Sequence, residues 1–92
     1  SYHVPISLDD ETSLAVYSMR ERKEIVMNNV PSEYNQYVSR LRAEEAHAQS
    51  LVYFPLVVKN RAVGVLTVQS TKVNAYSKYQ IDMMRTIATY AA

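Results

Sequence analysis

Ninety-two residues, 48% of them apolar and 21% charged, describe one small folded domain and exclude a disordered tail. A formal charge of +1 gives no argument for nucleic acid as a partner, and the absence of cysteine excludes a disulfide framework, a thiolate nucleophile and a zinc–thiolate site. The longest apolar run, Leu51 to Val58, is far short of the ~20 residues a membrane span needs, so no membrane insertion by this segment is expected.

No basic, apolar and small-residue order at the start suggests a signal peptide, and a cytoplasmic setting suits a cysteine-free chain. Residues 1–50 carry five basic and eight acidic side chains, residues 51–92 five basic and one acidic. That asymmetry reads as two differently charged solvated faces. Gly64 is the one glycine, which leaves no glycine-rich loop to cradle a phosphate.

In chain order, Tyr2 to Ile6 alternates loosely around Pro5 and reads as an edge strand or an extended entry. Ser7 offers a hydroxyl N-cap with Asp10 three residues on, and Asp9, Asp10 and Glu11 crowd a first turn. Arg20, Arg22 and Lys23 lie at the far end, so the charge order predicts a helix from about residue 8 to residue 22. Its apolar stripe is Leu8, Ala15, Val16 and Met19. Glu24 to Asn28, with Ile25 and Val26 at its centre, predicts a short strand. Pro31-Ser32-Glu33 then opens a second helical pattern, in which Tyr34, Tyr37, Val38 and Leu41 share one face, with Glu45 extending it. Arg40, Arg42, Glu44 and Glu45 read as its solvated side.

Ser50–Val58 and Ala62–Ser70 form the strongest signal, two strand-like runs separated by Lys59-Asn60-Arg61. Both faces of these runs are apolar, which predicts central antiparallel strands covered on both sides. Asn60 favours a tight turn, but which two residues form the loop stays open, and a one-residue slip would exchange the faces. Pro55 has no N–H and needs a bulge, an edge or a missing neighbour. Ser77 and Gln80 make a capping box for a last helix whose stripe is Ile81, Met84, Ile87, Ala88 and Ala91. It reaches the last residue with no C-cap glycine, and the first residue is not Met, so the chain reads as an excised piece of a longer protein.

Little in this order argues for catalysis. His3 and His47 lack ligand-spacing partners, and the cluster Glu44-Glu45-x-His47 reads as a polar helix end before it reads as a metal site. No serine stands in a nucleophile-elbow context. Asp9-Asp10 read as helix N-terminal charge. The expectation is a module that is non-enzymatic in itself, with no catalytic residues, no metal and no cofactor. Eight tyrosines are the unusual feature. Tyr34, Tyr37 and Tyr53, with Leu41 beside them and Tyr17 nearby, are candidates to line a pocket for a small planar ligand; the alternative is that they are core edges and contacts.

Ser50-Leu-Val-Tyr-Phe-Pro-Leu, then Asn60-Arg-Ala-Val-Gly-Val-Leu-Thr-Val-Gln-Ser70, then Tyr76-Ser77 and the helix through Ile87-Ala88, resembles the C-terminal half of a GAF domain. Ser7 to Asn29 is similar to the middle of that family, a helix ending in basic residues before a short strand. The resemblance implies an α+β fold, an antiparallel sheet flanked by helices with profilin-like layering. It also implies a sensory module of a signal-transduction protein such as a two-component system, binding a small molecule or acting as a homodimer that relays a signal to an output domain.

The resemblance leaves the family's first helix and first strand without a counterpart in this chain. In the family that strand lies beside the one matching Ala62–Ser70, so an unpaired apolar edge is expected there, covered most simply by a second copy. The lack of cysteine removes thioether bilin attachment and the thiol chemistry of the GAF-like free methionine sulfoxide reductases. The cyclic-nucleotide signature is missing too. Two other readings stand beside the sensory one: a purely structural dimerisation domain without ligand, and a small metal-dependent hydrolase.

Overall fold

A computed structural model describes residues 13–92, and the expectations for Tyr2–Ile6 and for the helix start at residues 7–12 lie outside the described residues. The elements are α1 (Leu14–Glu21), β1 (Ile25–Met27), α2 (Val30–Glu33), β2 (Ser50–Val58), β3 (Arg61–Ser70) and α3 (Lys78–Ala91). Short 3-10 turns at Tyr34–Gln36 and Ala43–Glu45 fill the stretch between α2 and β2.

The three strands form one antiparallel sheet in the order β1-β2-β3. This is the expected α+β architecture, with helices on both faces of an antiparallel sheet. β1 covers only Leu51, Val52 and Tyr53 of β2. Pro55 therefore sits past the end of β1, where a missing N–H leaves no ladder partner waiting. Between β2 and β3 the pairing runs from Ser50↔Ser70 to Val58↔Arg61, with a shift that leaves Val63 unpaired between Leu56↔Gly64 and Val57↔Ala62. The turn is Lys59-Asn60, both with positive φ (50° and 66°), as a tight two-residue hairpin loop requires.

Alternation along β2 feeds two cores. Leu51 and Tyr53 join Leu14, Ile25, Met27, Val30, Val38 and Ala48 on one face, with Tyr17, Tyr34, Tyr37, Leu41 and Val65 packed around them. Val52 and Phe54 face the other way, against Ala88, Ile81 and Met84 of α3 and against Leu66, Val68 and Tyr76. Arg85 of α3 clips that helix to the residue before β1 through a two-pronged pair with Glu24 (2.6 and 2.9 Å). Its guanidinium also lies 6.0 Å from the centre of the Phe54 ring.

Several expectations are corrected. α1 starts at Leu14, capped by Ser13, whose Oγ accepts from Val16 N at 3.1 Å; the acids that were expected in its first turn lie upstream of the cap. Its buried residues are Leu14, Val16 and Ser18, and the expected stripe residue Leu8 lies outside the described residues. The second helix pattern does not form one helix. Val30 starts α2 with Pro31 in its first turn, four residues carry it, and Asn35, Gln36 and Ser39 follow, with Gln36 Nε2 donating to Glu33 O at 3.2 Å. The apolar residues of that pattern still face inward, drawn by burial and not by helical periodicity.

Only Ser50–Phe54 is buried continuously on both faces; β3 alternates between half-buried and exposed. Among the described residues β3 is an edge strand with Val63 62% exposed, as the missing neighbour predicts. In α3 the capping box forms as read: Ser77 Oγ accepts from Gln80 N and Gln80 Oε1 from Ser77 N. Ala88, Met84 and Ile81 pack inward, whereas Ile87 and Ala91, assigned to the same stripe, are exposed. The helix sits slightly rotated from the assumed register, so positions 81, 84 and 88 carry the contact.

Candidate functional site

A concavity of about 400 Å³ opens beside α1 and the irregular segment after α2, lined by Ser13, Tyr17, Arg20, Asn35, Gln36, Tyr37, Val38 and Ser39. Tyr17 projects from α1 one turn after the Ser13 cap, so the cap fixes where that ring stands. Tyr37 closes the 3-10 turn, its N–H donating to Tyr34 O at 3.0 Å. The two rings meet edge to face, with centroids 5.3 Å apart and planes at 75°. Burial, and then the neighbouring Tyr17 and Glu33, push the Tyr37 phenol above its ordinary value. It therefore stays a neutral O–H donor over the physiological range.

The remaining lining groups divide the work. Arg20 brings a positive charge, Asn35 and Gln36 bring amides that both donate and accept, and Ser13 and Ser39 bring hydroxyls. Such a set is suited to orienting a small molecule: aromatic surface on one side, with directional donors at the rim.

Of the four residues singled out from the sequence, the structure brings Tyr37 to this wall. Tyr34 and Leu41 pack against the core on the same face of the sheet and are not among the lining residues. Tyr53 is buried below, where its O–H donates to Glu45 Oε2 at 2.6 Å. Glu45 is only 1% exposed, so the carboxylate read partly as a solvated group is held inside by a phenol. Burial, then the hydrogen bond to Glu45 and its charge, raise the Tyr53 phenol far above its ordinary value.

Arg20, Asn35, Gln36, Ser13 and Ser39 were missed. The one local signal for them was the polar pair Asn35-Gln36 interrupting the apolar pattern between Tyr34 and Tyr37. His47 is exposed, Glu44 pairs with Arg42 at 3.0 Å, and Glu45 is committed to Tyr53. Among the described residues no cluster of three histidine or carboxylate side chains is placed to hold a metal ion. None of their helices is long and apolar enough to cross a membrane.

The family model of the GAF domain matches residues 2–92, and the chain belongs to that family. No curated protein matches it. Among solved structures it is similar to the type II free methionine-R-sulfoxide reductase from Thermoplasma acidophilum, with a TM-score of 0.74, 23% identity, and coverage of 96% of this chain and 57% of that one. It is also similar to the GAF domain of an Acinetobacter phosphoenolpyruvate-protein phosphotransferase (TM-score 0.71, 17% identity, 96% and 48% covered). A third neighbour is the free methionine-R-sulfoxide reductase of Neisseria meningitidis in complex with its substrate (TM-score 0.66, 16% identity, 80% and 41% covered).

The chain thus spans about half the length of these structures. At such identities the likeness is one of fold. It still corrects the expectation of a non-enzymatic module: enzymes are built on this same framework, so the fold gives no ground for setting catalysis aside.

Proposed function

We propose that the chain is a regulatory module of a signalling protein that binds a small planar molecule in the concavity that Tyr17 and Tyr37 help to line. The observation that carries this is the concavity itself, about 400 Å³ with two rings and a polar rim, within the usual size of a small-molecule site. Membership of the GAF family supports a regulatory role. The route to an output is short: the core under the concavity and the core under α3 are opposite faces of one strand, β2.

The test is a thermal-shift and ligand-observed NMR screen of the chain against purines, pterins and indoles. At least one class should raise the melting temperature, and Tyr37→Ala should abolish that rise. A screen without a single stabilising compound, or an effect that survives Tyr37→Ala, would overturn the reading.

A second reading, self-association as a homodimer, has its own observation. β3 is an edge among the described residues, no charged side chain lies between Ala62 and Ser70, and natural sheet edges are normally guarded by charge. α3 adds an outward face of Tyr79, Met83, Ile87 and Tyr90. Sedimentation at micromolar concentration decides it, since a stable monomer excludes the homodimer.

A further inference from the structure

We infer that the end of α1 and the β2–β3 turn together form a second site, one that binds the phosphate group of a small soluble molecule. An open concavity of about 340 Å³ there is lined by Met19, Arg20, Arg22, Asn60, Arg61 and Ala62. Half of these six are arginines, and they come from two elements far apart in the sequence. Arg22 joins them: its guanidinium Nη1 donates to Asn60 O at 2.8 Å, which ties the helix end to the turn.

The charge in this hollow is poorly compensated. Among the described residues Arg20 meets only the adjacent Glu21, at 3.4 Å and with both side chains about 40% exposed, a weak pair. Among the described residues no carboxylate pairs with Arg22 or Arg61. Glu24, the next acid along, is occupied by Arg85. Lys23 and Lys59 flank the site in sequence and add to its charge.

Three like charges held around one hollow repel each other unless an anion sits between them. Guanidinium groups in particular match phosphate oxygens in a two-pronged fashion, which favours phosphate over a simple halide. The carbonyl end of α1 works against an anion, but Ser18 O already accepts from the N–H groups of Arg22 and Lys23. α1 has only eight residues, so the opposing dipole is small beside three full charges.

The backbone also suits a fixed site. Arg22, Lys59 and Asn60 all stand at positive φ, so each end of the site is a committed turn. Arg20 lines both this hollow and the tyrosine concavity, whereas Arg61 belongs to this one. Arg61 is therefore the residue that separates the two proposals.

The experiment is calorimetric titration of inorganic pyrophosphate into the full chain at low and moderate salt. Saturable binding is expected, weakened about tenfold by Arg61→Gln and further by adding Arg22→Gln. Arg61 is exposed and has no carboxylate partner among the described residues, so that variant should fold. Lys72→Gln, on an exposed lysine outside the hollow, and Tyr37→Ala should leave the affinity unchanged. No saturable binding, an unchanged affinity in Arg61→Gln, or an equal loss in Lys72→Gln would overturn the site. Retention on phosphatidylcholine vesicles containing phosphatidic acid, without binding of free pyrophosphate, would assign the arginines to a lipid surface and overturn a soluble ligand.

Discussion

The two faces of the sheet are covered in opposite ways, and the less regular cover buries more. On one side α1 and a looping segment of short turns bury Leu14, Ile25, Met27, Val30, Val38, Ala48, Leu51 and Tyr53. On the other, the well-formed helix α3 buries only Val52, Phe54 and its own Ala88, and everything around them is half exposed. A single helix is a cylinder that meets a sheet along one narrow row. A chain that turns every few residues can bring side chains in from several directions and close the margins. The first face can therefore hold a carboxylate, Glu45, away from water, and the second leaves tyrosine and methionine facing outward.

The largest effect should come from the thin face. Phe54→Ala removes the large ring at its buried centre, at a cost of about 3–5 kcal/mol against a total stability of about 5–15 kcal/mol. Urea unfolding measures the loss, and amide exchange locates it. Exchange in α3 should accelerate much more than in α1. Equal acceleration in both helices would mean that the two faces act as one core.

Tyr53→Phe probes the thick face. It leaves Oε2 of the buried Glu45 carboxylate without its phenol donor, with only the long contact from Arg42 N to Oε1 remaining among the described residues, which should cost about 1–3 kcal/mol in urea unfolding at neutral pH. The same phenol sets a pH dependence. Its value in the folded chain lies above the ordinary 10.0, so the unfolded chain ionises first as pH rises. The stabilisation is complete below about pH 10 and erodes above it, and Tyr53→Phe should make that alkaline decline shallower. A slope identical in the variant would place the titration elsewhere.

What was readable from the sequence follows the same division. The hairpin, the short β1 and the capping box of α3 rest on local rules: strand runs, Asn60 in a turn, and Ser77 three residues before Gln80. Local chemistry decides them, so they appear where the sequence places them. The segment 34–45 is decided by distant partners. Helical spacing of Tyr34, Tyr37, Val38 and Leu41 correctly gave the inward residues but the wrong backbone, because Tyr53, on another strand, draws Glu45 inward and the chain folds in short turns to let it. For the same reason Tyr37 could be picked as a wall residue, while Arg20, Asn35 and Gln36 could not. Their meeting depends on where α1 lies relative to that segment, which no local pattern encodes.

Smaller effects test how far α3 depends on its own ends. Ser77→Ala removes the oxygen that accepts from Gln80 N, and should cost about 1 kcal/mol by thermal or urea unfolding. The smallest effect belongs to the outer side of that helix. Ile87 is 54% exposed and packs on neither core, so Ile87→Ser should change the stability of the single chain by no more than about 0.5 kcal/mol. Self-association through that face gives a different signature. The melting temperature of the native chain would then rise with protein concentration and that of Ile87→Ser would not, because only the associated form gains from burying the side chain. A concentration-independent melting temperature in both, with Ile87→Ser as stable as the native chain, would leave the outer row of α3 as plain solvent-facing surface. The thin face would then be thin on both of its sides.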